Sequence, residues 1–120
     1  MRCAIFLILF LCNAYVMAQQ DPVIVHNGGA VGDHSVIYPP ADQPHVYYDS
    51  YNQLIIIDGF GEVSYYDVEI SPVVSSIPVI TAQVDGEYDT IDVSTLGTGS
   101  YDITIYSPTG NIFEGTFYIY

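Results

Sequence analysis

"LGTGSYDITIY" (Leu96–Tyr106) is a glycine-punctuated turn that runs into a strict alternation of apolar and polar residues. Tyr101, Ile103 and Ile105 fall on one side of an extended chain, and Asp102, Thr104 and Tyr106 on the other. One side suits a core and the other suits water, which is the period of a half-buried β-strand. The same period recurs on either side of the stretch. Tyr66, Val68 and Ile70 oppose Tyr65, Asp67 and Glu69; Ile91 and Val93 oppose Asp92 and Ser94; Phe113, Gly115, Phe117 and Ile119 oppose Ile112, Glu114, Thr116 and Tyr118. No segment shows apolar residues at helical spacing, and β-branched residues and tyrosine dominate. Seven strands are predicted, at 45–49, 53–58, 63–70, 79–84, 87–94, 100–106 and 112–119. Asp85-Gly86 reads as a two-residue hairpin, because both central positions of a type I′ turn need positive φ. One-sided strands joined mostly by short turns predict antiparallel sheets packed on their apolar faces, an all-β sandwich.

The N-terminal residues read differently. "MRCAIFLILFLCNAYVMA" has one cation, Arg2, then an apolar run from Ala4 to Leu11 and small or apolar residues at Val16 and Ala18. That is the pattern of a secretory signal peptide over residues 1–18, and its apolar run is too short to span a bilayer. The expected location is secreted, periplasmic or cell-surface, with acylation at Cys12 an open alternative. Both cysteines, Cys3 and Cys12, lie in this segment, so the remainder has no disulfide and draws its stability from its core. Residues 19–44 are dense in Gly and Pro and read as a short irregular segment, with extended pieces at "PVIVH" and "SVIY". Residues 45–120 form the expected domain.

Charge narrows the function classes. The chain holds 14 acids and a single Lys or Arg, and losing Arg2 with the signal takes the formal charge from −13 to −14. Ion pairs with Lys or Arg are then impossible within the domain. No basic footprint exists for nucleic acid, and anionic headgroups are repelled. Cationic partners and divalent ions are the complementary classes.

The placement of Tyr101 carries further information. In sandwich domains of the immunoglobulin type, a tyrosine near the start of the sixth strand turns its hydroxyl back to an upstream backbone group and pins the corner there. Leu96 is expected to fill the core beneath that corner, Gly99 to let the backbone approach, and Tyr101 to close the bond. Around it, "TIDVSTLGTGSYDITIYSPTGNIFEGTFYIY" (Thr90–Tyr120) resembles the C-terminal half of a family of small secreted Bacteroidetes proteins with a single immunoglobulin-like sandwich and no established function. The matching features are Gly99 with Tyr101, then Phe113, Gly115 and Phe117. The same half is similar, more distantly, to the C-terminal sorting domains of type IX secretion. The resemblance implies an immunoglobulin-like antiparallel β-sandwich of about seven strands behind a short irregular N-terminal segment. It implies no activity.

Candidate chemistry is sparse. His26, His34 and His45 fit no common zinc spacing, and no serine sits in a nucleophile elbow, so an enzyme is not expected. Asp85, Glu87, Asp89 and Asp92 cluster around one turn and could supply some of the six to eight oxygens calcium takes, although the loop is not an EF-hand. Among 12 tyrosines, Tyr65, Tyr106 and Tyr118 fall on outer faces beside carboxylates, an arrangement suited to stacking on sugar rings. The function expected is a secreted, non-catalytic interaction or cell-surface accessory module. A carbohydrate-binding module and a calcium-stabilised adhesin subunit pairing through a sheet edge are the alternatives. The expected partner is an unknown protein or glycan, with self-association through a sheet edge an open alternative, and no cofactor is expected unless calcium.

Overall fold

The structure, a computed structural model, describes residues 20–23, 25–27 and 40–120. The expected signal peptide, Cys12 and His34 lie outside them. Nine strands appear among the described residues: β1 (Gln20–Val23), β2 (His26–Asn27), β3 (His45–Asp49), β4 (Leu54–Asp58), β5 (Tyr65–Pro72), β6 (Ile80–Asp85), β7 (Tyr88–Asp92), β8 (Gly99–Tyr106) and β9 (Ile112–Ile119). They build a four-stranded sheet, β1-β3-β4-β7, and a five-stranded sheet, β2-β9-β8-β5-β6, with every pairing antiparallel. The seven strands expected from alternation are β3 to β9, each with ends within two residues of the expected ones.

The core lies where the alternation puts it. Tyr66, Val68 and Ile70 of β5, Ile103 and Ile105 of β8 and Phe113 of β9 are fully enclosed and meet Ile55 and Ile57 of β4 from the other sheet. Burying each such side chain contributes about 1.5–3 kcal/mol. Phe117 joins the two layers, with ring centroids 5.6 Å from Tyr48 of β3 and 5.7 Å from Tyr101 of β8.

Two expectations change. The sandwich takes in residues 20–23 and 25–27, which the Gly/Pro density sets apart as irregular. β1 pairs with β3 and β2 with β9, so this short run passes from one sheet to the other, and Val23 and Val25 enter the core. Two-residue strands leave no readable period, which is why alternation misses β2. The second change is at Asp85-Gly86, which is no hairpin. β6 and β7 lie in different sheets, and neither residue has positive φ. Glycine is needed there for space: a Cβ on Gly86 would sit 1.9 Å from the Val63 carbonyl oxygen. The Gly86 amide donates to Ser64 O at 3.1 Å and its carbonyl accepts from Gly61 N at 3.2 Å, sealing the crossing against the β4–β5 loop.

Residues 40–44 are also fixed to the sandwich. Pro44 is fully buried, and the Tyr66 hydroxyl donates to the Asp42 carbonyl at 2.6 Å from inside the core. The buried Asp42 carboxylate accepts from Ser107 Oγ at 2.5 Å, Thr109 Oγ1 at 2.5 Å and Asn111 Nδ2 at 2.9 Å, all in the β8–β9 turn. Burial pushes this carboxyl up, but the three side-chain hydrogen bonds outweigh it and hold it below the ordinary carboxylate range.

Candidate functional site

The outward-facing residues of the five-stranded sheet are short and polar at its centre. Register places His26, Glu114, Thr104, Glu69 and Thr81 in one cross-strand row, with Thr116, Asp102 and Ser71 in the next. Side chains this short leave a shallow trough of about 260 Å³, lined by His26, Ser71, Asp102, Thr104, Glu114 and Thr116. Two acids of these rows have neutral partners: Thr116 Oγ1 donates to Asp102 Oδ1 at 2.9 Å, and the Tyr106 hydroxyl donates to Glu69 Oε2 at 3.3 Å. Burial first, and then the Glu69 charge, push the Tyr106 hydroxyl up and keep it a donor. The site therefore offers hydroxyls, an imidazole and uncompensated carboxylates on a rigid sheet.

The three expected tyrosines do not form one platform. Tyr106 faces Asp67 and Ile112, and Tyr65 lies one step beyond it, opposite Asp85, so these two share one end of the face. Tyr118 is opposite Ser100, six residues further along β9, or about 20 Å away at strand rise. Its ring leans instead on Tyr120, with centroids 5.5 Å apart. Alternation assigns a face correctly but says nothing of position along it, because partner registers are needed for that.

Nor do the four turn acids converge. Asp85 Oδ1 accepts from Glu87 N at 2.8 Å, Asp89 Oδ2 from Asp85 N at 2.9 Å, and Asp89 Oδ1 from Thr90 N at 2.8 Å. Asp92 Oδ1 accepts from Ser94 N at 2.8 Å, and hydrogen bonds from Ser94 hold its carboxyl below the usual range. Asp85, Asp89 and Asp92 each cap nearby backbone in place of a shared point, and period two sends Asp89 and Asp92 to opposite faces of β7. Among the described residues, no three His, Cys, Asp or Glu side chains gather into a metal-holding group.

At the corner, the Tyr101 hydroxyl donates to Gly97 O at 2.7 Å, four residues upstream, while Leu96 is partly buried against the core. Gly99 has φ +144° with open space where a Cβ would be, so its requirement is conformational and not one of close approach. Sequence reasoning misses the Asp42 clamp. Its only trace is the spacing of Ser107, Thr109 and Asn111, three donors at period two in a turn.

Two facing antiparallel sheets with a pinned crossover into β8 define the class: an all-β, immunoglobulin-like β-sandwich. Three chains among solved structures match. One is a DUF3244-family protein with an immunoglobulin-like β-sandwich fold from Bacteroides vulgatus, at TM-score 0.66 and 12% identity, the match covering 84% of this chain and 99% of that one. At that identity the likeness shows the fold. The neighbour comes from a family of unknown function, in keeping with the resemblance to small Bacteroidetes proteins, and indicates no catalytic family; it does not bear on type IX sorting. No family model and no curated protein matches the chain. Among the described residues, no helix is long and apolar enough to cross a membrane.

Proposed function

We propose that the protein is a secreted, non-catalytic interaction module that binds a cation-bearing partner protein at the cell surface through the outer face of its five-stranded sheet. The observation that carries this reading is the trough around Asp102 and Glu114, whose carboxylates have no Lys or Arg anywhere after residue 2 to neutralise them. Rigid, uncompensated acids attract Lys- or Arg-bearing segments and bring them in quickly at low salt. Export is supported by the pattern of residues 1–18. The test is titration of the full chain with an oligolysine peptide, followed by amide chemical shifts. Shifts centred on Asp102, Thr104 and Glu114, weakened by Asp102→Asn with Glu114→Gln and by salt, are the expected result. Saturable binding that those substitutions leave unchanged would refute the site.

A second reading, glycan binding, rests on Tyr65 and Tyr106 standing at one end of the same face beside Asp67. Retention on a polysaccharide column that is lost in Tyr65→Ala with Tyr106→Ala, and insensitive to salt, would favour it over the first.

A further inference from the structure

From Ile70 to Val84 the sequence carries no charge, although acids punctuate the chain on both sides. This run makes the end of β5, the following loop and β6, and β6 is the last strand of its sheet. Large apolar side chains stand exposed in the loop: Val73 at 44%, Val74 at 96%, Ile77 at 68% and Val79 at 50%. Ile80 and Ala82 beyond them are only partly buried against the core. Proteins usually guard a terminal strand with Lys, Pro, a charge or a cover, because its unpaired amides and carbonyls template another strand. β6, "ITAQVD", has no such guard before Asp85.

The one guard shows which way the edge faces. Asp89 Oδ2 accepts the Asp85 amide at 2.9 Å, so that amide points away from β5. Backbone groups alternate sides along a strand, and the amides and carbonyls of Gln83 and Thr81 therefore point the same way. An open edge of neutral side chains presents them.

We infer that β6 pairs with β6 of a second copy of this chain, antiparallel about a two-fold axis beside Ala82. Thr81 of each copy then lies opposite Gln83 of the other, Ile80 lies opposite Val84, and every facing pair is neutral. The two five-stranded sheets become one continuous sheet, and the isologous joint closes the edge. The occupant follows from electrostatics. Each chain has a formal charge of −13, so copies repel wherever acids face acids, and residues 70–84 are where they can meet without opposed carboxylates. A basic partner is drawn instead to the acid-bearing outer face. This pairing stands independently of the trough.

Sedimentation velocity on the full chain tests it. A concentration-dependent monomer–dimer equilibrium is expected, tightening as salt shortens the Debye length from about 30 Å at 0.01 M to about 3 Å at 1 M. Thr81 is exposed, so Thr81→Glu and Thr81→Lys leave the core untouched, and each is expected to weaken the dimer about tenfold or more by like-charge opposition across the axis. Mixing the two variants restores a dimer, now a heterodimer. A chain that stays monomeric at all concentrations and salts overturns the inference, as does a dimer indifferent to both Thr81 substitutions.

Discussion

Replacing Asp42 probes how residues 40–44 are held to the β8–β9 turn. Asp42→Ala removes acceptors from Ser107, Thr109 and Asn111 but leaves the backbone carbonyl that receives the Tyr66 hydroxyl. Ser107 is buried, so its hydroxyl loses a charge-assisted bond that water does not replace, although Thr109 Oγ1 remains 2.9 Å away. Thr109 is exposed and Asn111 half-buried, and water recovers part of what they lose. Taking about 1–3 kcal/mol for the buried group and less for the others, the substitution is expected to cost about 2–4 kcal/mol. Asp42→Asn should cost only about 1 kcal/mol, since its amide can donate to the hydroxyls while its oxygen still accepts from Asn111. The pH dependence has a definite sign. The folded-state pKa is lowered, so the stabilisation is fully present above the unfolded aspartate value of about 3.9 and is lost as pH falls through the folded value. Urea unfolding at neutral pH and below pH 4 measures both effects: the gap between parent and Asp42→Asn should narrow in acid. Asp42→Ala as stable as the parent at neutral pH, or a gap that widens in acid, would refute the clamp.

Tyr101→Phe loses the bond to Gly97 O and should destabilise by about 0.5–1.5 kcal/mol; an unchanged melting temperature would show that the corner bond does not stabilise the sandwich. Gly86→Ala drives a methyl into the Val63 carbonyl, against backbone that cannot swing aside, and is expected to cost about 3 kcal/mol or more by urea titration. Burial first, then the Asp42 and Glu62 charges, push the Tyr66 hydroxyl up to about 12. Stability from its neutral form is fully present below the unfolded tyrosine value of about 10 and is lost as pH rises through the folded value, so thermal melts should fall across that window and fall less in Tyr66→Phe.

The sheets are legible because their inward faces are written at period two. β8 and β9 alternate without a break, and the pattern alone turns Ile103 and Gly115 inward, where register then sets them opposite each other. What the pattern does not reveal shares one property: it depends on who lies opposite. His26-Asn27 is too short for a period, and only its pairing with Glu114 and Phe113 makes it a strand. Asp42 sits in a Pro-rich run whose composition says loop, yet its partners are 65 to 69 residues away.

Asp85-Gly86 shows the limit most sharply. Two strands flanking an Asp-Gly satisfy the local rule for a type I′ hairpin, and nothing in those residues distinguishes that turn from a crossing between sheets. The choice is made elsewhere. β5 offers Tyr65 to Ile70 as a ladder for β6, while β4 offers Leu54 to Asp58 as a ladder for β7, and each sheet would otherwise end one strand sooner. The chain therefore has to change layers between Asp85 and Tyr88, and glycine at 86 lets it do so pressed against Val63. Gly86 is then a packing residue in a sheet-to-sheet corner, and the same crossing leaves β6 at the rim with Thr81 and Gln83 facing out.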